Sequence, residues 1–251
     1  MKENKNIKNI DHSKKDFYKI GGFAALVVAL IFRRNLGAEV FLLREFGLIN
    51  YTPPETLVEW FTLIQDNKLI GLFLLDFFDV INYAFVSLVL IALYFSLKHT
   101  NECWSTIAVI FGFFGVIVCF ASNQAFTILN LSDQYTATTT IEQQSPLLAA
   151  GEAVLAINQG SGVYLSLFFV TLASLIMALV MLQSDIFNKR TAYLGIFANG
   201  ILLSYFIALI FAPALIALPP AFSAIFLLIY YILVGRRLLQ LNSSVTIEVE
   251  K

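Results

Sequence analysis

The sequence predicts an all-α membrane protein, a bundle of six transmembrane helices with both termini in the cytoplasm. Three observations predict it. Apolar residues make up 59% of the 251 and charged residues 13%, against about 25% charged in an ordinary soluble domain. The apolar residues fall in blocks near the length of about 20 that carries a helix across a hydrocarbon core about 30 Å thick. Lys and Arg, finally, are spread unevenly over the segments between those blocks. A mean hydropathy of +0.79 agrees. The net charge of −1, with no clustered basic patch, points away from nucleic acid.

In chain order, residues 1–16 form a polar, Lys-rich cytoplasmic tail, 17–237 the six-helix transmembrane domain and 238–251 a second cytoplasmic tail, polar and frayed. The first apolar block, Phe17 to Phe32, is closed by Arg33 and Arg34. No small-x-small cleavage pattern follows, so it reads as an uncleaved first span whose arginines reach the far interface. Thr52-Pro53-Pro54-Glu55 has the form of a capping box with Pro at the first helical position. It predicts a short helix to about Gln65 lying on the membrane surface, with Leu57, Phe61 and Ile64 on one face. Span two is expected over Leu69–Leu97 and span three over Trp104–Phe126. Residues 127–161, rich in Ser, Thr, Asn and Gln, read as a long connection holding a short interfacial or re-entrant helix, Pro146–Asn158. Spans four, five and six are expected over Gly162–Gln183, Thr191–Ala212 and Leu218–Val234. With the N-terminus inside, twelve of the sixteen Lys and Arg fall on cytoplasmic segments, which fixes the orientation.

Five strings carry a resemblance: RRNLGAE at 33–39, SDQYTATTT at 132–140, LLAAGEAVLAINQGSG at 147–162, NKRTAYLGIFANG at 188–200 and LVGRRLLQL at 233–241. The chain resembles a family of bacterial six-span membrane proteins to which no function is assigned. The resemblance implies the six-span architecture and the bacterial inner membrane. It brings no catalytic residues with it.

Asp76 and Asp79 are the costliest residues to place in a membrane, each about 2.5–3.5 kcal/mol near a helix centre. Within a continuous span they lie about 10–15 Å from its outer end. Their spacing puts them on one helix face with Tyr83, and two carboxylates shielded on one face are how a proton or cation site is built. A packing seam with Asn or Tyr of another helix is the plainer reading. The other polar groups expected in the outer half are Asn123 with Gln124, Glu152, Asn158 with Gln159, Tyr164 and Asn199. Helix capping accounts equally well for the Asn and Gln among them. Arg33, Arg34 and Glu39 pair with one another or with lipid headgroups, and Cys103 and Cys119 read as structural thiols.

The two histidines, His12 and His99, lie outside the spans. They leave a multi-His metal hydrolase or a Ser–His protease without its base. No catalytic set and no metal centre is therefore predicted, and the cofactor stays open. The reading favoured is binding or transport of a small solute, ion or lipid through an outer-half polar pocket. One alternative is a carboxylate-dependent enzyme acting on a lipid, with a divalent metal held by Asp76, Asp79 and Glu152. The other is a structural or sensory subunit. The expected partners are membrane lipids and a small-molecule or ion ligand. No residue pattern sets the oligomeric state.

Overall fold

The computed structural model describes residues 15–35 and 54–249, with side chains over 15–31 and 54–243. Among them every regular element is helical: α1 (Lys15–Asn35), α2 (Leu57–Asp66), α3 (Lys68–Leu74), α4 (Phe77–Leu97), α5 (Glu102–Ser122), α6 (Ala125–Ala137), α7 (Ile141–Asn158), α8 (Ser161–Gln183), α9 (Lys189–Phe211) and α10 (Leu218–Val249), with a 3-10 turn at Pro213–Leu215. Glu39, Thr52, Pro53 and the side chains of Arg33 and Arg34 lie outside the described residues.

Among the described residues, five helical stretches are long and apolar enough to cross a bilayer: Phe77–Leu97, Glu102–Ala137, Ile141–Gln183, Lys189–Phe211 and Pro213–Ser243. The expected first span, α1, is a helix but falls short of this standard. Its uncharged run Ile20–Phe32 is thirteen residues, about 20 Å at 1.5 Å per residue, against a hydrocarbon core of about 30 Å.

The chain divides into two compact units. The first, which takes in 84–114 and 168–251, contains α1, α9, α10 and the larger parts of α4, α5 and α8. It is built on close helix approaches at small residues, which let backbones touch where no hydrophobic force separates helix from lipid. Gly21 faces Ala92 of α4, and Gly22 faces Gly235 of α10. A Cβ at Gly235 would sit 2.9 Å from the carbonyl oxygen of Gly22, and one at Gly22 would sit 3.1 Å from that of Gly235. In the same way Gly195 receives the ring of Tyr230. α10 does not stop where the sixth span was expected to end. Leu238 and Leu241 are buried and extend the apolar stripe of Tyr230, Tyr231 and Val234, so the segment expected to fray is helical through Val249. Arg237 Nε donates to the Ile186 carbonyl at 2.6 Å.

The second unit, 50–83 and 115–167, holds α2, α3, α6, α7, the start of α4, the end of α5 and the start of α8. α2 begins four residues later than expected. Its capping box is Thr56 with Glu59: Glu59 N donates to Thr56 Oγ1 at 3.3 Å, and Glu59 Oε2 accepts from the backbone of Glu55 at 2.7 Å and Thr56 at 3.3 Å. α2 is also no lone surface helix. Leu57, Trp60, Phe61, Leu63 and Ile64 are buried in a core with Leu75, Ala125 and Ile128. Gly151 of α7 is the point of closest approach, since a Cβ there would lie 2.6 Å from Leu57 and 2.9 Å from Phe61. The expected long connection, 127–161, is thus mostly helix, α6 and α7. Its polar residues cover the exposed faces while Ile128, Ser132 and Gly151 face inward. Pro146 sits in the second turn of α7, where it removes one backbone donor.

Candidate functional site

The site lies in the second unit, where helices are interrupted. The span expected to run unbroken from Leu69 to Leu97 is two helices, α3 and α4, parted at Leu75–Asp76. Asp76 adopts φ 57°, the left-handed conformation that Asp and Asn tolerate better than other side chains. A second interruption separates α5 from α6 at Asn123–Gln124, and a third separates α7 from α8 at Gln159–Gly160.

Two asparagines tie these interruptions together. Asn123 Nδ2 donates to the carbonyls of Leu75 at 3.3 Å and Asp76 at 3.2 Å, the latter also accepting from Asp79 N at 3.0 Å. Its Oδ1 accepts from the backbone of Ala125 at 3.3 Å. Asn158, buried at the end of α7, accepts the Gln124 N–H on Oδ1 at 2.6 Å. The plain reading of both as end-capping residues holds, but each caps a helix remote in sequence.

Between them is a cavity of about 30 Å3, more than the roughly 10–15 Å3 that holds one water. Asp79 and Tyr83 of α4 line it with Asp76 from the turn, Cys119 and Ser122 of α5, Asn123, Asn158, and Val163 and Ser166 of α8. Asp76 is exposed on one side, Asp79 half-buried and Tyr83 buried. The hydroxyls of Ser122 and Ser166 donate to carbonyls of their own helices, Cys119 at 3.4 Å and Val163 at 2.8 Å, which leaves their lone pairs able to accept. The cavity holds two carboxylates and a few hydroxyl and amide groups in a lining that is mostly apolar, and has room for an ion or a water.

The interruption also moves the acids. α4 alone is 21 residues, about 31 Å long, so it matches the hydrocarbon core without α3. Asp79 stands in its first turn and Asp76 just before it. Both therefore lie at the end of the span and not 10–15 Å within it.

Of the residues chosen from sequence, the structure brings together Asp76, Asp79, Tyr83, Asn123 and Asn158. Glu152 is exposed on α7 and Tyr164 lies on α8, neither in the lining. Asn199 belongs to the other unit, buried, with Nδ2 donating to Gly195 O at 2.7 Å. Among the described residues, no three His, Cys, Asp or Glu side chains gather as a metal cluster, so Glu152 does not join the aspartates. Cys119, Ser122 and Ser166 were not foreseen as lining residues. The one available signal was Cys119 at four residues before Asn123, one helical turn from it.

Residues 22–235 match the family model for a domain of unknown function, DUF4386. The chain belongs to the DUF4386 family. The match begins at Gly22 and ends at Gly235, the two glycines whose backbones touch. It spans the whole second unit, so the cavity is part of the DUF4386 region. No curated protein and no solved structure matches the chain.

Proposed function

We propose that this DUF4386 protein binds and carries a proton or a small monovalent cation at the Asp76–Asp79 cavity. We place it in the bacterial inner membrane as a six-span protein with both termini cytoplasmic. The observation that carries the functional reading is the cavity itself: small, carrying two carboxylates, and formed where three helices are interrupted. Interrupted helices are the usual way a membrane protein exposes backbone oxygens to an ion. Hard cations take oxygen ligands, and Asp76, Asp79, Tyr83, Ser122 and Ser166 supply them here.

The sixth span in this reading is α1, whose short apolar run the stem of Lys19 lengthens. The distribution of Lys and Arg sets the orientation and puts the cavity at the outer ends of α4, α5 and α8. A structural role for the acids is the second reading, and the bonds from Asn123 to the Leu75–Asp76 turn favour it.

The test is ligand-linked stability of purified protein: thermal unfolding against Na+, Li+, K+ and pH for wild type, Asp76→Asn and Asp79→Asn. A ligand that binds only the folded state raises the unfolding temperature with its concentration. Asn retains the tolerance for the left-handed turn, so Asp76→Asn removes charge while keeping the backbone. An increase with Na+ or Li+, or a proton-linked shift, that disappears in both variants supports the site. Lower unfolding temperatures in both variants, with no linked shift in wild type, leave the acids as structural residues and sink the proposal.

A further inference from the structure

Beside the cavity lies a second space, an open groove of about 560 Å3 lined by Val118, Ala121 and Ser122 of α5, Ala156 and Ile157 of α7, and the turn Gly160-Ser161-Gly162. Ser122 lines both spaces. It is held there by Gly162, which lies so close that a Cβ at 162 would overlap the Ser122 side chain. The partition between groove and cavity is thus one small hydroxyl side chain packed on a glycine.

The groove has a second property. Its walls include the end of α7, the interruption at Gln159–Gly160 and the opening residues of α8. The backbone of this turn is paired within the chain, Gly160 N with Ile157 O at 3.1 Å and Val163 N with Gly160 O at 3.2 Å. The groove is open and lies where α5 ends and α8 begins, at the end of the spans, so water enters it.

From these two observations we infer that the groove is a water-filled vestibule and that a cation passes between it and the carboxylate cavity by way of Ser122, with the Ser122–Gly162 contact as the gate. The inference rests on the cation reading of the cavity and adds the route to it.

Cys119 is the reporter that the chain already carries, since it lines the cavity but not the groove. Cys103→Ser leaves it as the sole thiol. The experiment measures the rate at which methyl methanethiosulfonate modifies Cys119 in the full chain, read by mass spectrometry. Two variants are compared with the Cys103→Ser parent. Ala156→Trp fills the groove without touching the cavity lining, and Ser122→Gly opens the partition. With access set by the route, Ala156→Trp slows labelling and Ser122→Gly speeds it, each by at least about threefold. Rates within about twofold of the parent in both variants, or a Cys119 that no variant makes reactive, overturn the route. If Ala156→Trp fails to fold, the Ser122→Gly rate decides alone. Labelling needs no cation, so the two readings separate. Variant-dependent rates without protection by Na+ or pH keep the vestibule and remove the cation. Protection with variant-independent rates does the reverse.

Discussion

Replacing Asn123 with Ala tests whether one side chain holds the interruption on which the cavity depends. The amide donates to Leu75 O at 3.3 Å and Asp76 O at 3.2 Å and accepts from Ala125 N at 3.3 Å. Three hydrogen bonds are lost at once, none of them short. A net worth of about 0.5–1.5 kcal/mol each applies in soluble proteins, and about 0.6 kcal/mol is the average between membrane helices. Taking the lower figure gives about 2 kcal/mol, or about 4–8 °C in unfolding temperature for a chain of this size. The assay is reversible unfolding of the purified protein in mixed micelles, followed by helical signal. Asn123→Ser, which keeps one hydroxyl within a shorter reach, should fall between. A loss under about 0.5 kcal/mol for Asn123→Ala would refute the reasoning, because the turn would then be held by something else.

The remaining predictions are more compact. Asp76→Gly removes a non-glycine residue from φ 57° and should raise stability by about 1 kcal/mol, whereas Asp76→Val should lower it by at least as much, read from the same unfolding curves. Gly235→Ala places a Cβ against the Gly22 carbonyl and should cost about 1–3 kcal/mol, less the gain in helix propensity of up to about 1 kcal/mol; a stabilised variant would show that α1 and α10 do not approach as described. Backbone N–H groups of Glu55 and Thr56 hold the Glu59 carboxyl below its ordinary value. With the folded value depressed, its contribution is present above the unfolded value and is lost as the pH falls through the folded one. Glu59→Gln should therefore flatten the acid limb of the stability profile below about pH 5, and an unchanged limb would dismiss the capping box as its source.

Much of this fold was legible because membrane helices announce themselves by apolar length. α4, α5, α8 and α9 and the first part of α10 lie close to where composition put them. The interruptions were not legible. Nothing in the period of Leu-Ile-Gly-Leu-Phe-Leu-Leu-Asp-Phe-Phe-Asp marks the one residue that turns left-handed, since Asp at that position also fits a helix. α7 contains the short helix expected over Pro146–Asn158 and begins five residues earlier, whereas the polar face of α6 hides a helix, although Ala125, Ile128 and Ser132 recur on its inner face. The site was half visible. Asp76, Asp79 and Tyr83 follow from helical spacing and cost, and Asn123 and Asn158 from residue type at helix ends. Glu152 and Asn199 failed because topology says which end of a span a residue occupies, not which side of its helix. Ser122, Ser166 and Cys119 look like any small residue of a membrane helix.

The contact between Gly22 and Gly235 has a consequence for how the protein is made. α1 leaves the ribosome before α10, and the two glycines are 213 positions apart. At about 5–20 residues per second, α1 waits on the order of 10–40 s before its partner exists. During that time the Gly22 face meets only lipid or the insertion machinery, while Gly21 can already settle against Ala92 of α4. The first helix is therefore docked in two stages, by an early neighbour and a late one. A chain cut short before α10 reaches the membrane with that face open, which gives a quality-control system a simple mark of an unfinished molecule.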